Sequence, residues 1–467
     1  MWATISRYPA VWIPFALGAS IAVGLTYREN GAVEMLVGAI GLMVLVACTV
    51  RPLWGVCLAA LFDLWFSYVQ ALGVPPRNYV VLYLLGFAAV HAMRVGAPTF
   101  PRSAHRLVLA VGFLAGLAAL QTLISSGDNI LDTLYGIGAG LGAGLAIALV
   151  TARFVSSERD AFTFVRFVTV VVTLSAVVAL LQSAGIEAAW QLRERIGVSG
   201  LHIAERARVP GLTYFSIQLS YQLATLIPII GSIWLSGTTG PVSRKMYGLA
   251  CATLGLALAA TLSRSGLAGA VLGMLVVIAL SQHRRRWLWL GMIALASVGI
   301  VTLFDLSGRR DLSLAQLILD RWPHFITAVW IAWDNPLGIG SLHQFTQYAS
   351  YYYSEIADIQ GASVARYQTA HNQFLNVLVA YGLPFLVVFV WFYRELFVML
   401  NRVRKRAAPA SPRHALAVGL IGSFVGYQVN ASFHNPGPFT GDLFNWYCIG
   451  LAVALARMDQ DDAAKPA

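Results

Sequence analysis

After Ala370-His371-Asn372, residues 373–396 read Gln-Phe-Leu-Asn-Val-Leu-Val-Ala-Tyr-Gly-Leu-Pro-Phe-Leu-Val-Val-Phe-Val-Trp-Phe-Tyr-Arg-Glu-Leu. A helix needs about 20 predominantly apolar residues to cross the hydrocarbon core of a bilayer. This run supplies them. Asn372 is of a type that caps helix N-termini with its side chain. The run therefore opens a membrane-spanning helix at Asn372 and sets His371 at the membrane surface.

Similar apolar runs recur along the chain. The candidates are 8–27, 32–50, 53–72, 79–93, 107–124, 131–151, 162–183, 216–235, 247–262, 266–281, 287–304, 373–396, 414–432 and 441–457. Several are short, and Ser263-Arg264-Ser265 alone separates 247–262 from 266–281, so the expected count is twelve to fourteen. Composition agrees: of 467 residues, 58% are hydrophobic and only 11% charged. A soluble domain carries about 25% charged residues. The chain is therefore expected to be an all-α polytopic integral membrane protein. Tryptophan (13), tyrosine (18) and phenylalanine (23) are abundant, as aromatic belts at two interfaces require.

The net charge of +11 comes from 32 Lys+Arg against 21 Asp+Glu. In a membrane protein such an excess is first a topology signal. With both termini cytoplasmic and the spans counted alternately, 21 basic residues fall on the cytoplasmic side and 11 on the other. All three lysines, Lys245, Lys405 and Lys465, are among the 21. The outer face carries arginine only: Arg28, Arg77, Arg193, Arg195, Arg206, Arg208, Arg264, Arg309, Arg310, Arg321 and Arg366. No nucleic-acid partner is called for.

This reading divides the chain into an N-terminal transmembrane bundle (1–183), a transmembrane region with an Arg-bearing outer loop (184–304), a large outer loop (305–372), C-terminal transmembrane helices (373–457) and a cytoplasmic tail (458–467), disordered from Asp459. The large loop is expected to be partly helical. Its residues 312–333 have the apolar spacing of an amphipathic helix lying at the interface.

The guanidinium fork pairs with phosphate oxygens and stays charged at any relevant pH. Outer-face arginines near span ends could thus hold an anionic lipid headgroup, or simply snorkel to ordinary phospholipid phosphates. Arg264 lies between two apolar runs, where a charge is costly unless it serves a purpose. Arg208 precedes Val209-Pro210-Gly211, a turn feeding the next span, and Arg206 is its close rival. Arg321 and His343 lie in the large loop. His202, His324, His343 and His371 are the outer histidines, while His91 and His434 read as satisfied core residues. A histidine at a helix entrance suits a general base near neutral pH. No histidine pair has metal-ligand spacing, and no Walker or dinucleotide motif is present. Cys48, Cys57, Cys251 and Cys448 all lie in apolar runs. Neither a cofactor nor a metal site is expected.

His371-Asn372, nine residues, then Gly382-Leu383-Pro384-Phe385 resembles the H[NSQ]-x9-G-x-x-[GTY] signature of bacterial O-antigen ligases, the WaaL family, with Phe385 departing at the last position. Leu262-Ser263-Arg264-Ser265-Gly266, and Arg321-Trp322 through Asp334-Asn335-Pro336-Leu337-Gly338-Ile339-Gly340, are similar to the wider superfamily of ligases, O-antigen polymerases and protein O-oligosaccharyltransferases. The resemblance runs from about Arg208 to Arg394.

It implies a GT-C-like, metal- and ATP-independent inverting glycosyltransferase of the bacterial inner membrane, with a periplasmic site. The implied substrates are O-antigen polysaccharide on undecaprenyl diphosphate and a sugar hydroxyl of lipid A–core oligosaccharide. His371 would be the base and Arg264 and Arg208 the catalytic arginines. Arg321, Arg206, Asn372 and His343 would bind substrate. The alternatives are a polymerase or oligosaccharyltransferase of the same superfamily. A lipid-linked glycan flippase is an alternative of another class, one expected to show buried ionisable clusters or repeats.

Overall fold

The computed structural model describes residues 48–66, 76–95, 100–125, 137–195, 208–281, 322–340, 344–352, 369–409, 411–434 and 443–463. Among them the regular structure is entirely helical. The helices are α1 (Pro52–Phe66), α2 (Pro76–Val95), α3 (Arg102–Ser125), α4 (Ala143–Phe154, entered through a π-helical turn at Gly138–Gly142), α5 (Glu158–Ser183) and α6 (Glu187–Arg195). They continue with α7 (Ser216–Ser236), α8 (Pro241–Ala260), α9 (Arg264–Leu280), α10 (Trp322–Asp334), α11 (Phe345–Tyr351), α12 (Gln373–Arg406), α13 (Pro412–Ala431) and α14 (Phe444–Ala463).

Eleven of the fourteen expected spans coincide with helices over their described parts. The runs 8–27 and 287–304, and 32–50 up to residue 47, lie outside the described residues. Four helices, covering Arg102–Ile124, Glu158–Ser183, Ser216–Ser236 and Gln373–Arg406, are long and apolar enough to cross a membrane. The protein is thus an all-α polytopic membrane protein. One local expectation changes: the tail is helical as far as Ala463, not disordered from Asp459. Of the expected amphipathic segment 312–333, residues 312–321 lie outside the described residues and the rest is helical, in α10.

Helix boundaries follow local chemistry. The Ser157 hydroxyl caps α5 by accepting from the Asp160 N–H, with Glu158 and Asp160 in the first turn where the helix dipole favours acids. Ser411 caps α13 in the same way, with Pro412 at the first helical position. Arg404, Lys405 and Arg406 close α12 at the end where the dipole favours cations.

Helices α7, α9 and α13 form the tightest unit. A Cβ on Gly269 would stand 2.3 Å from the Gly426 carbonyl oxygen, and one on Gly273 2.6 Å from that of Gly422. Small residues in these rows let the two backbones approach without a side chain between them. α12 packs on α3, α13 and α14, and α10 lies along its first half.

α12 contains 34 residues, so its ends are about 50 Å apart. Asn372 caps one end, and Arg404 to Arg406 close the other. At the latter end Arg413 joins Glu158 (2.9 Å) and Asp462 (2.6 Å), tying α5, α13 and α14 together.

The Gly382-Leu383-Pro384 sequence breaks α12, and the break is filled by another part of the chain. Gly382 has φ 80° and ψ 178°, a region open essentially to glycine. Pro384 has no N–H to give Ala380. Instead the Gly340 N–H donates to the Ala380 carbonyl, that of Ile339 to Val379 (both 2.8 Å), and the Leu383 N–H to the Pro336 carbonyl at 2.9 Å. Gln121 of α3 closes the arrangement by donating to the Gly338 carbonyl at 2.6 Å. The motifs Asn335–Gly340 and Gly382–Pro384 are therefore two halves of one joint. It fixes the segment after α10 against α12, the helix that follows His371 and Asn372.

Candidate active site at one end of the bundle

Two non-glycine residues have positive φ among the described residues: Leu262 (55°) and His371 (49°). Each stands immediately before a helix cap. Leu262 precedes Ser263, whose hydroxyl caps α9 by accepting from the Gly266 N–H at 3.2 Å. His371 precedes Asn372, whose Oδ1 caps α12 by accepting from Phe374 (2.9 Å) and Leu375 (3.1 Å). Arg264 is thus the first residue of α9. His371 stands just outside the Asn372 cap, two residues before α12 begins. Left-handed backbone at non-glycine positions costs of order 1 kcal/mol or more and clusters at functional sites.

The two turns meet at the C-terminal end of α13. The Asn372 Nδ2 donates to the Ser432 carbonyl at 3.0 Å. Ser265 Oγ donates to Asn430 Oδ1 at 2.9 Å and lies 2.7 Å from His434 Nε2, while Ser263 Oγ is 3.4 Å from that nitrogen. The Asn430 Nδ2 reaches Ser220 of α7 at 3.4 Å. The starts of α7, α9 and α12 are therefore gathered around one polar turn. Arg208 lies on the turn eight residues before α7. That turn is pinned by Gln182, which accepts from the Gly211 N–H at 2.9 Å, and by Ser175, which accepts from Leu212 at 3.0 Å.

One histidine contact escapes the sequence. His324 of α10 meets His371 edge to face, with ring centroids 4.9 Å apart; the sequence marks it only as one outer histidine among several. His434 is a satisfied core residue, as expected: it is buried and pairs with the two serines flanking Arg264. In neither case does a local motif reveal the pairing. Asp334, at the end of α10, accepts from the Tyr352 hydroxyl and so ties α11 to α10 beside the joint.

The outer arginines separate into groups. Arg77 forms an ion pair with buried Asp63. Arg193 is buried and donates to the Thr213 and Tyr214 carbonyls at 3.1 and 2.6 Å, bracing the turn that follows Arg208. Arg206, Arg321, Arg366 and His343 lie outside the described residues. Among the described outer arginines, Arg264 stands at the start of α9 and Arg208 on the turn before α7. Among the described residues no group of three or more His, Cys, Asp or Glu side chains comes together.

Fold and site define a polytopic helical membrane protein with an arginine and a histidine held at one end of its bundle by a shared polar turn. Residues 249–390 match the family model described as O-antigen ligase, a stretch that runs from within α8 to within α12 and includes Arg264 and His371. The resemblance to the O-antigen ligase superfamily seen in the motifs is thus borne out over that stretch. No curated protein matches the chain.

Proposed function

We propose that the protein is an O-antigen ligase of the bacterial inner membrane. It would transfer O-antigen polysaccharide from undecaprenyl diphosphate to a sugar hydroxyl of lipid A–core, at a site facing the periplasm, with both termini cytoplasmic. The observation that carries this reading is that the neighbours of Arg264 and His371, namely Ser263, Ser265 and Asn372, all bond to the Ser432–His434 turn, beside left-handed backbone at Leu262 and His371.

In the reaction the acceptor hydroxyl attacks the anomeric carbon of the donor while its proton passes to the His371 imidazole. The bond from that carbon to the diphosphate oxygen breaks on the opposite side, so configuration inverts, and the electron pair leaves with the diphosphate. Arg264, with Arg208, meets the charge that develops on the departing oxygens. The N-terminal ends of α9 and α12 add positive potential at the same place. Arg321 and Arg206 extend the anion site, His343 and Asn372 bind or orient substrate, and Asn372 holds the His371 turn. A positioned base contributes about 10²–10⁴-fold, and one charge-stabilising donor about 10²–10³-fold.

The test is ligation by purified protein supplied with both lipids in the presence of EDTA. Formation of the glycolipid product supports the reading. Joining of two lipid-linked glycans instead would make the protein a polymerase, and absence of any product would favour transport.

A further inference from the structure

We propose that His434 is the positioning residue for Arg264. It would set the arginine's approach to the lipid diphosphate by bridging the two serine hydroxyls that flank it. The proposal rests on the reading of Arg264 as a diphosphate ligand and adds the group that aims it.

The hydrogen bonds define the ring's role. Ser265 gives its hydroxyl proton to Asn430 Oδ1 at 2.9 Å. The 2.7 Å contact between Ser265 Oγ and His434 Nε2 must then have the ring N–H as donor. The same nitrogen lies 3.4 Å from Ser263 Oγ, the hydroxyl that caps α9 through the Gly266 N–H. One ring nitrogen therefore serves the residues on both sides of Arg264. The ring is 9% exposed and stands 6.1 Å from the Tyr221 ring of α7. In such a setting hydrogen-bond geometry is held with little competition from water.

The consequence concerns direction. Arg264 is the first helical residue, and its backbone orientation is decided by the Leu262 turn and the Ser263 cap. A cap free to relax would let the guanidinium sweep a wider arc. The turn that carries His434 also accepts from Asn372 through the Ser432 carbonyl at 3.0 Å, next to His371. The end of α13 thus sets the arginine through side chains and the histidine through its backbone.

The experiment measures equilibrium binding of undecaprenyl diphosphate to purified protein in detergent micelles, with melting temperature recorded for each variant. His434→Phe keeps the ring's shape without a donor. His434→Gln restores a donor without the ring. Ser265→Ala removes the same bond from the other side. The expected result is dissociation constants raised about 10-fold for His434→Phe and Ser265→Ala, and within about 3-fold of the parent for His434→Gln. In an Arg264→Ala background His434→Phe should add less than about 2-fold, because both changes act through one group.

Failure of the parent protein to bind the lipid, or unaltered binding by Arg264→Ala, would sink the functional reading itself. If those two behave as expected, parent-like binding by His434→Phe or Ser265→Ala overturns the positioning role. So does an undiminished effect of His434→Phe in the Arg264→Ala background, or a failure of His434→Gln to restore binding at unchanged melting temperature.

Discussion

The rings of His324 and His371 meet edge to face, with centroids 4.9 Å apart and planes at 81°. Edge-to-face aromatic pairs are worth about 0.5–1.5 kcal/mol beyond the area they bury. Here the contact joins α10, from the segment before the α12 joint, to the residue proposed as base. His371 has an unusual backbone conformation, so its ring direction depends on what it packs against.

His324 should therefore act on His371 through shape. His324→Phe retains an aromatic edge and is expected to keep turnover within about 3-fold of the parent protein, whereas His324→Ala loses about 10-fold. Steady-state ligation assays of the two variants compare these roles. Equal loss in both would point to a polar role for His324.

The joint between Gly338 and Gly382 makes a stability prediction. A Cβ on Gly382 would fall 2.3 Å from the Leu337 carbonyl carbon at φ 80°, and one on Gly338 2.6 Å from the Ala380 oxygen at φ 91°. Each alanine should cost at least about 1–3 kcal/mol. Because the two positions share partners, the double variant should cost less than the sum of the singles. Thermal unfolding in detergent reads this directly. Additive losses would mean that the two motifs are not one joint.

Asn372 has two separable tasks. Asn372→Ala removes the α12 cap and should cost about 0.5–2 kcal/mol as well as activity. Asn372→Asp keeps an acceptor for the Phe374 and Leu375 N–H groups but sets a carboxylate oxygen, in place of the amide donor, against the Ser432 carbonyl. It should therefore melt within about 1 kcal/mol of the parent and still ligate poorly. Full ligation by Asn372→Asp would remove the Ser432 link from the site's architecture.

Arg77 should be structural, although it belongs to the outer-face set. Its partner Asp63 is 4% exposed and Arg77 itself 14%. Removing one member of such a pair strands a charge and costs about 3–5 kcal/mol, while replacing both with leucine is close to neutral. Melting temperatures should recover in the double variant, and ligation with them. Persistent loss of ligation in a stable double variant would instead make Arg77 a substrate ligand.

The contrast between Arg77 and Arg264 shows what the sequence could and could not display. Hydropathy made the helices legible, since a bilayer demands long apolar runs, and Asn372 announced its helix as a cap. Arg264 and His371 stood out because charges and imidazoles are scarce in such a chain. Arg77 and Arg193 carried the same signal, and only their partners, Asp63 and the Thr213–Tyr214 carbonyls, reveal a structural use. His434 sits 169 residues from Ser265, and Gly338 meets a helix break more than forty residues further along the chain. Contacts of that span leave no periodic trace, because chain folding decides them and local preference does not.

The most direct test of the central claim is the turnover of His371→Asn in ligation by purified protein with undecaprenyl diphosphate-linked O-antigen and lipid A–core. Asparagine tolerates the left-handed backbone at this position, so the substitution removes the base with little added strain. Turnover is expected to fall about 10²–10⁴-fold with the donor KM little changed. Parent-like turnover by His371→Asn would contradict the account.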